Sequence, residues 1–187
     1  MNKILLVEKE IEKIILQSPH KTDPFHSKCT KTWLLKLKPD ADDALQIAAL
    51  AHDIERGFPS ESECKPKERN IKEYNKHKEE HSKRSAKIIG DMLQKHDFDN
   101  SFIQKVVRLV LLHEVGGDEE ADILKDADSL AFFEGNLEYY FSRHDTDTTI
   151  FQIKYKFDRM SQKAKSIAKE MKYSDTILNK LFQDTIS

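Results

Sequence analysis

The chain has 187 residues, 38% of them hydrophobic, with only 5 Gly and 5 Pro; it is long enough to bury one sizeable core and too short to divide comfortably into two. Its 31 Lys and Arg against 33 Asp and Glu leave a net charge of −2, so no global electrostatic argument points to nucleic acid or to an anionic membrane surface. Cys29 and Cys64 lie far apart and form no CxxC, which excludes a thiolate zinc site and fits a reduced, cytoplasmic setting.

Low Gly and Pro, abundant Lys, Glu, Leu and Ile, and apolar residues recurring at spacings of three and four predict an all-α protein, a single helical bundle over residues 1–187. The opening "MNKILLVEKEIEKIILQ" has too few uninterrupted apolar residues for a signal peptide and reads as a helix over roughly 3–17. Further helices are expected over roughly 25–37, 41–55, 68–95, 100–114, 119–143, 147–171 and 174–184. Asp40 is placed to cap the third, which Gly57 and Pro59 end, and Asp99 or Asn100 to cap the helix that Gly116-Gly117 closes. No segment reaches membrane-spanning length, because even "VVRLVLL" is interrupted by Arg108. The polar stretch "GFPSESECKPKER", from Gly57 to Arg69, reads as the one long connection.

The third helix carries Ala44, Ala48, Ala49 and Ala51 among Leu45, Ile47, Leu50 and Ile54. Apolar on every side, it is predicted to be central. His52-Asp53 at its end is then a charged pair in a buried place, which is costly unless metal or hydrogen bonds compensate it. His96-Asp97 and His144-Asp145 repeat the dipeptide among polar, turn-forming residues and are expected to be exposed helix ends away from any site. If His52-Asp53 binds a metal, other imidazoles and carboxylates belong nearby. His26, His81, His113, Asp126 and Asp128 are the candidates, each with an ordinary structural reading when taken alone.

Jointly, His26, His52-Asp53, His81, His113 and Asp128 resemble the series H...HD...H...H...D of the HD-domain superfamily of metal-dependent phosphohydrolases, over roughly residues 20–145. "IAALAHDI" is similar to that family's small-residue helix ending in HD, "EEHSKRSAKIIGDML" to its H...(S/G)A..I helix, and "KDADSLAFFE" to its AD.L segment. The later segment from Ala131 to Ala168 is also similar to a family known only as a domain of unknown function, packing as helices 147–184 on the core. The first resemblance implies that His26, His52, Asp53 and Asp128 hold one metal, with His81 and His113 serving a second metal or the substrate phosphate. Asp126 is the alternate to Asp128, two positions away and about 200° around the helix.

Imidazoles and carboxylates suit Mn²⁺, Fe²⁺, Co²⁺, Ni²⁺ or Zn²⁺. His52 and Asp53 are therefore the expected catalytic pair, with Asp53 both binding metal and positioning the attacking water. Arg56, Arg69, Lys72 and Arg84 are candidate phosphate contacts, although a basic helix face is more often merely solvated. The expected function is hydrolysis of a nucleotide or another small phosphate ester. A noncatalytic ligand-binding or regulatory protein on the same fold is the alternative, and a metal-dependent oxygenase a third reading. Asp53→Asn is expected to lower activity steeply while changing melting little or improving it, because an unpaired buried carboxylate in the metal-free protein is unfavourable. "GGDEE" at Gly116–Glu120 resembles the GGDEF signature of diguanylate cyclases, but the sheet-containing context of that family is missing, and the motif reads as one helix ending and the next beginning.

Overall fold

The computed structural model describes residues 2–58 and 71–187, and the described residues contain helices and no strand. Cys64, Arg69 and most of the connection expected over 57–69 lie outside them. The helices are α1 (Lys3–Ile15), α2 (Asp23–Leu37), α3 (Asp43–Ala51), α4 (Ile71–Lys95), α5 (Asn100–Leu112), α6 (Glu119–Ala131), α7 (Leu137–Phe141), α8 (Thr146–Asp158), α9 (Gln162–Lys169) and α10 (Thr176–Ile186). None of the described helices is long and apolar enough to cross a membrane.

Local chemistry sets most boundaries. Asp42, rather than the expected Asp40, caps α3, because its carboxylate sits three residues before Leu45 and accepts the Leu45 N–H at 3.0 Å. Asp99 caps α5, Asp118 caps α6 and Asp145 caps α8 through the same bond to the N–H three residues on. After α5 the chain turns through Gly116 (φ 74°) and Gly117 (φ 129°), left-handed conformations that glycine adopts without a Cβ penalty.

The helix expected over 147–171 is two. Ser161 starts α9, its hydroxyl accepting from Ala164 N–H, while its own N–H and O–H both go to Asp126 on α6. A tertiary carboxylate therefore ends one helix and starts another where the apolar period runs on. The third helix likewise stops at Ala51, and a short 3₁₀ helix, Ile54–Gly57, follows. Gly57 ends that turn hard against α1: a Cβ there would lie 2.2 Å from the Ile14 carbonyl oxygen.

As expected, α3 is central, with Ala44, Leu45 and Ile47–Ala51 all buried. Its alanines let backbones approach, and Ser27 Oγ on α2 donates to the Leu50 carbonyl at 2.5 Å. One apolar cluster joins α1 to α6 around it. A second, built on Phe133, Ile153, Leu178 and Phe182, belongs to the C-terminal helices, and Trp33 and Leu37 of α2 pack against both. Between α6 and α7 a π-helical segment, Phe132–Asn136, turns Phe133 into the second cluster and Phe132 and Asn136 toward a cavity.

Candidate metal centre

Four helix ends and faces deliver the histidines. His26 lies in the first turn of α2, His52 follows the last residue of α3, His113 follows α5, and His81 sits on the buried stripe of α4 with Tyr74, Ser85 and Ile89. All four are buried, as are Asp53 and Asp128. Adjacent helical residues point about 100° apart. His52 and Asp53 nevertheless reach one place, because the backbone leaves the helix at Asp53 (φ −107°, ψ 19°).

His26 Nε2 is 3.2 Å from His52 Nε2, 3.1 Å from Asp128 Oδ1 and 4.0 Å from Asp53 Oδ2, and His52 Nε2 is 3.7 Å from each carboxylate. Two donors each about 2.1 Å from one ion lie about 3.0 to 4.2 Å apart for angles between 90° and 180°, and every one of these separations falls in that interval. On the other side, Asp53 Oδ1 is 2.7 Å from His81 Nε2 and 4.0 Å from His113 Nε2. Asp53 thus offers one oxygen to each of two groups, His26–His52–Asp53 and Asp53–His81–His113, either of which could hold a metal ion.

The tautomers suit ligation. His52 Nδ1–H donates to the Ala49 carbonyl at 2.9 Å and His113 Nδ1–H to the Val110 carbonyl at 2.7 Å. A carbonyl can only accept, so each ring turns an Nε2 lone pair inward. His113 Nε2 is buried without a hydrogen-bond partner, a cost that a bound cation would remove. Burial, and then the neighbouring imidazoles, outweigh Asp53 and Asp128 and push the His52 imidazolium down to about 3, so that ring is neutral and available as a ligand near pH 7.

The second group is held differently. His81 bonds carboxylates at both nitrogens, Asp53 at 2.7 Å and Glu55 at 2.7 Å. Burial opposes its charging, but those two carboxylates raise its pKa above the ordinary value. Glu55, despite burial, is held down to about 2 by His81 and Arg84. His52 and His113 thus each present a lone pair, whereas His81, between two carboxylates, and His26, whose Nε2–H donates to Asp128 Oδ1 at 3.1 Å, each hold a proton that a metal would have to displace.

The carboxylates are anchored from behind. Asp128 Oδ2 takes Lys156 at 2.8 Å and also Arg159, leaving Oδ1 toward His26. Burial works against ionisation of Asp128, yet Lys156 and Arg159 keep it well below the usual carboxylate range. Asp53 is likewise kept ionised, against burial, by Arg56 at 3.0 Å and by the bond from His81. It is not the unpaired carboxylate that the sequence suggested. Asp126 points the other way, bonded to Ser161, so Asp128 is the aspartate that meets the histidines.

A cavity of about 330 Å³ opens onto both groups, with Tyr74, Phe132, Asn136, Tyr139 and Tyr140 among its walls. Of the expected phosphate contacts, Arg56 lines it while bonded to Asp23 and Asp53. Arg84 stands behind Glu55, and Lys72 is exposed; neither is among the wall residues. Lys78 and Lys156 are there instead. Sequence reasoning passed over them, along with Glu114 and Arg159, because "HKEEH" and "KYKFDR" read as solvated charge; only Glu114, beside His113, offered a signal. The other His-Asp pairs divide. His96 is partly buried against Glu10 at 2.7 Å, and Asp97 is exposed at the end of α4. His144 is exposed as expected but is not remote: it stacks on Tyr140 at 3.8 Å, and both line the cavity.

The fold and these residues define an all-helical protein with two buried His/Asp groups that could hold metal. The chain belongs to the family described as "Domain of unknown function (DUF4202)", whose model matches residues 9–180, far more than the C-terminal part alone. No curated protein and no solved structure matches it.

Proposed function

We propose that this protein is a metal-dependent phosphohydrolase acting on a nucleotide or another small phosphate ester. The observation that carries the reading is the Asp53 carboxylate shared between two histidine groups, 3.7 Å from His52 through Oδ2 and 2.7 Å from His81 through Oδ1. Ligand order along the chain supports it, being that of the HD superfamily the sequence resembles.

His26, His52, Asp53 and Asp128 would hold one divalent ion, and Asp53, His81 and His113 a second. Such ions supply Lewis acidity at phosphoryl oxygens. The chain's own groups do the rest. The Ala49 and Val110 carbonyls fix the rings of His52 and His113, and Glu55 fixes His81. Lys156 and Arg159 aim Asp128, and Arg56 keeps Asp53 ionised so that its carboxylate can orient the attacking water. The aromatic walls shield the reacting group from bulk water.

Metal analysis of protein purified without chelator, followed by a screen of nucleotides and simple phosphate esters with Mn²⁺, Co²⁺ or Ni²⁺, tests the proposal. Bound transition metal with phosphate release is expected. Metal retained with no ester cleaved would leave a metal-dependent binding protein, and iron with oxygen-dependent turnover would favour the oxygenase.

A further inference from the structure

The cavity walls carry five carboxylates, Asp23, Asp53, Glu55, Glu114 and Asp128. Each already touches a protein cation. Arg56 reaches Asp23 and Asp53, Arg84 reaches Glu55, Lys78 reaches Glu114, Lys156 reaches Asp128, and Arg159 reaches both Glu114 and Asp128. Five lysines and arginines therefore stand against five carboxylates before any metal enters, His81 between Asp53 and Glu55 holds a further proton that a metal would displace, and Arg143 adds a positive charge at the wall. A divalent ion at either histidine group brings positive charge that no remaining carboxylate of the described walls offsets. Uncompensated charge in a largely buried place is unfavourable, and an anionic ligand is what relieves it.

Two lysines are placed to meet that ligand, one beside each group. Lys156 Nζ is 2.8 Å from Asp128 Oδ2, whose other oxygen is 3.1 Å from His26. Lys78 Nζ is 2.6 Å from Glu114 Oε1, which is 3.4 Å from His113 Nε2. Their side chains are 7% and 13% exposed, so neither is a solvated surface lysine. An ammonium has three donors, and its carboxylate uses one, leaving others for the oxygens of an anion seated over the metal positions. The size of the surplus bears on the kind of ester. A phosphomonoester carries about −1.5 to −2 near neutral pH, whereas a diester carries a single charge.

We propose that Lys78 and Lys156 bind the terminal phosphoryl group of the substrate, and that the site selects a dianionic phosphomonoester over a monoanionic diester. The inference rests on the metal-dependent phosphohydrolase reading and narrows its substrate class. The leaving group then lies toward Phe132, Tyr139 and Tyr140.

The test is calorimetric binding of inorganic phosphate and of dimethyl phosphate to the Mn²⁺-loaded full chain, with metal content measured in parallel, for the parent, Lys78→Gln and Lys156→Gln. Charge-assisted hydrogen bonds of the usual strength predict that each Gln variant weakens phosphate binding about ten- to a hundredfold at parent metal content. The parent should bind phosphate at least about tenfold more tightly than dimethyl phosphate. By reciprocity, phosphate should also tighten Mn²⁺ by the factor by which Mn²⁺ tightens phosphate. Equal affinity for the two anions, or Gln variants that bind phosphate like the parent, would overturn the proposal. If Lys156→Gln loses metal because Asp128 has lost its anchor, Lys78→Gln decides, since Glu114 belongs to neither metal group. Lysine-dependent phosphate binding with no ester cleaved leaves this inference standing and removes the hydrolase reading. Failure to take up metal at all removes both.

Discussion

Replacing Asp53 by Asn removes one negative charge at constant side-chain size, and the metal-free protein reports the consequence most directly. Asp53 is 4% exposed, accepts from His81 at 2.7 Å and pairs with Arg56 at 3.0 Å. Removing one partner of a fully buried ion pair costs about 3–5 kcal/mol, and a hydrogen bond to a charged group contributes about 1.5–3 kcal/mol. Both partners here keep other support. Arg56 retains Asp23 at 3.2 Å with 31% of its side chain in solvent, and His81 retains Glu55 at 2.7 Å. The net loss should therefore be near the bottom of the range, about 2 kcal/mol, which for a chain of this size lowers melting by about 4–8 °C. Urea and thermal unfolding of chelator-treated parent and Asp53→Asn at neutral pH measure it, and metal uptake and phosphate-ester turnover by the variant should both fall. Equal or higher stability of the metal-free variant would refute the reasoning, because Asp53 would then not be ion-paired in the folded protein.

Asp128→Asn should lower metal content, whereas Asp126→Asn should leave metal content intact and cost about 1–2 kcal/mol by weakening the charge-assisted bonds that Asp126 accepts from the Ser161 N–H and O–H at the start of α9; metal analysis beside urea unfolding separates the two. Asp42 is held below its ordinary pKa, against burial, by Lys105 and the Leu45 N–H. Its folded pKa is thus lower than its unfolded one, so its stabilisation is complete above the unfolded value and disappears as pH falls through the folded one. Denaturant unfolding at pH 7 and in the acid range should show Asp42→Asn less stable than the parent at pH 7, with the gap closing on acidification; a gap that persists at the acid end would contradict this. His96→Gln should lose the contact to Glu10 with metal content unchanged, as judged by metal analysis. His144→Ala should also keep its metal but weaken ligand binding in calorimetry, because it removes the ring stacked on Tyr140 at the cavity wall.

Much of the architecture was legible because its causes are local. Spacings of three and four marked the helices, Asp99 and Asp118 marked the starts of α5 and α6, and the alanines of α3 marked a helix with no solvent face. The same locality explains the misses. The break at Ser161 depends on Asp126, 35 positions away, and no window around residue 161 contains it. His26, His52, Asp53, His81, His113 and Asp128 could be gathered as candidates because imidazoles and carboxylates on buried helix ends stand out against their neighbours. Between Asp126 and Asp128 only the family resemblance preferred Asp128; both are buried, and the packing of α8 and α9 is what gives each its partner. Lys78, Lys156 and Arg159 were invisible for a stronger reason: in sequence a lysine among charges is indistinguishable from a solvated one. It becomes a buried cation only when another helix brings a carboxylate to it and closes over both, and that juxtaposition exists only in the tertiary structure.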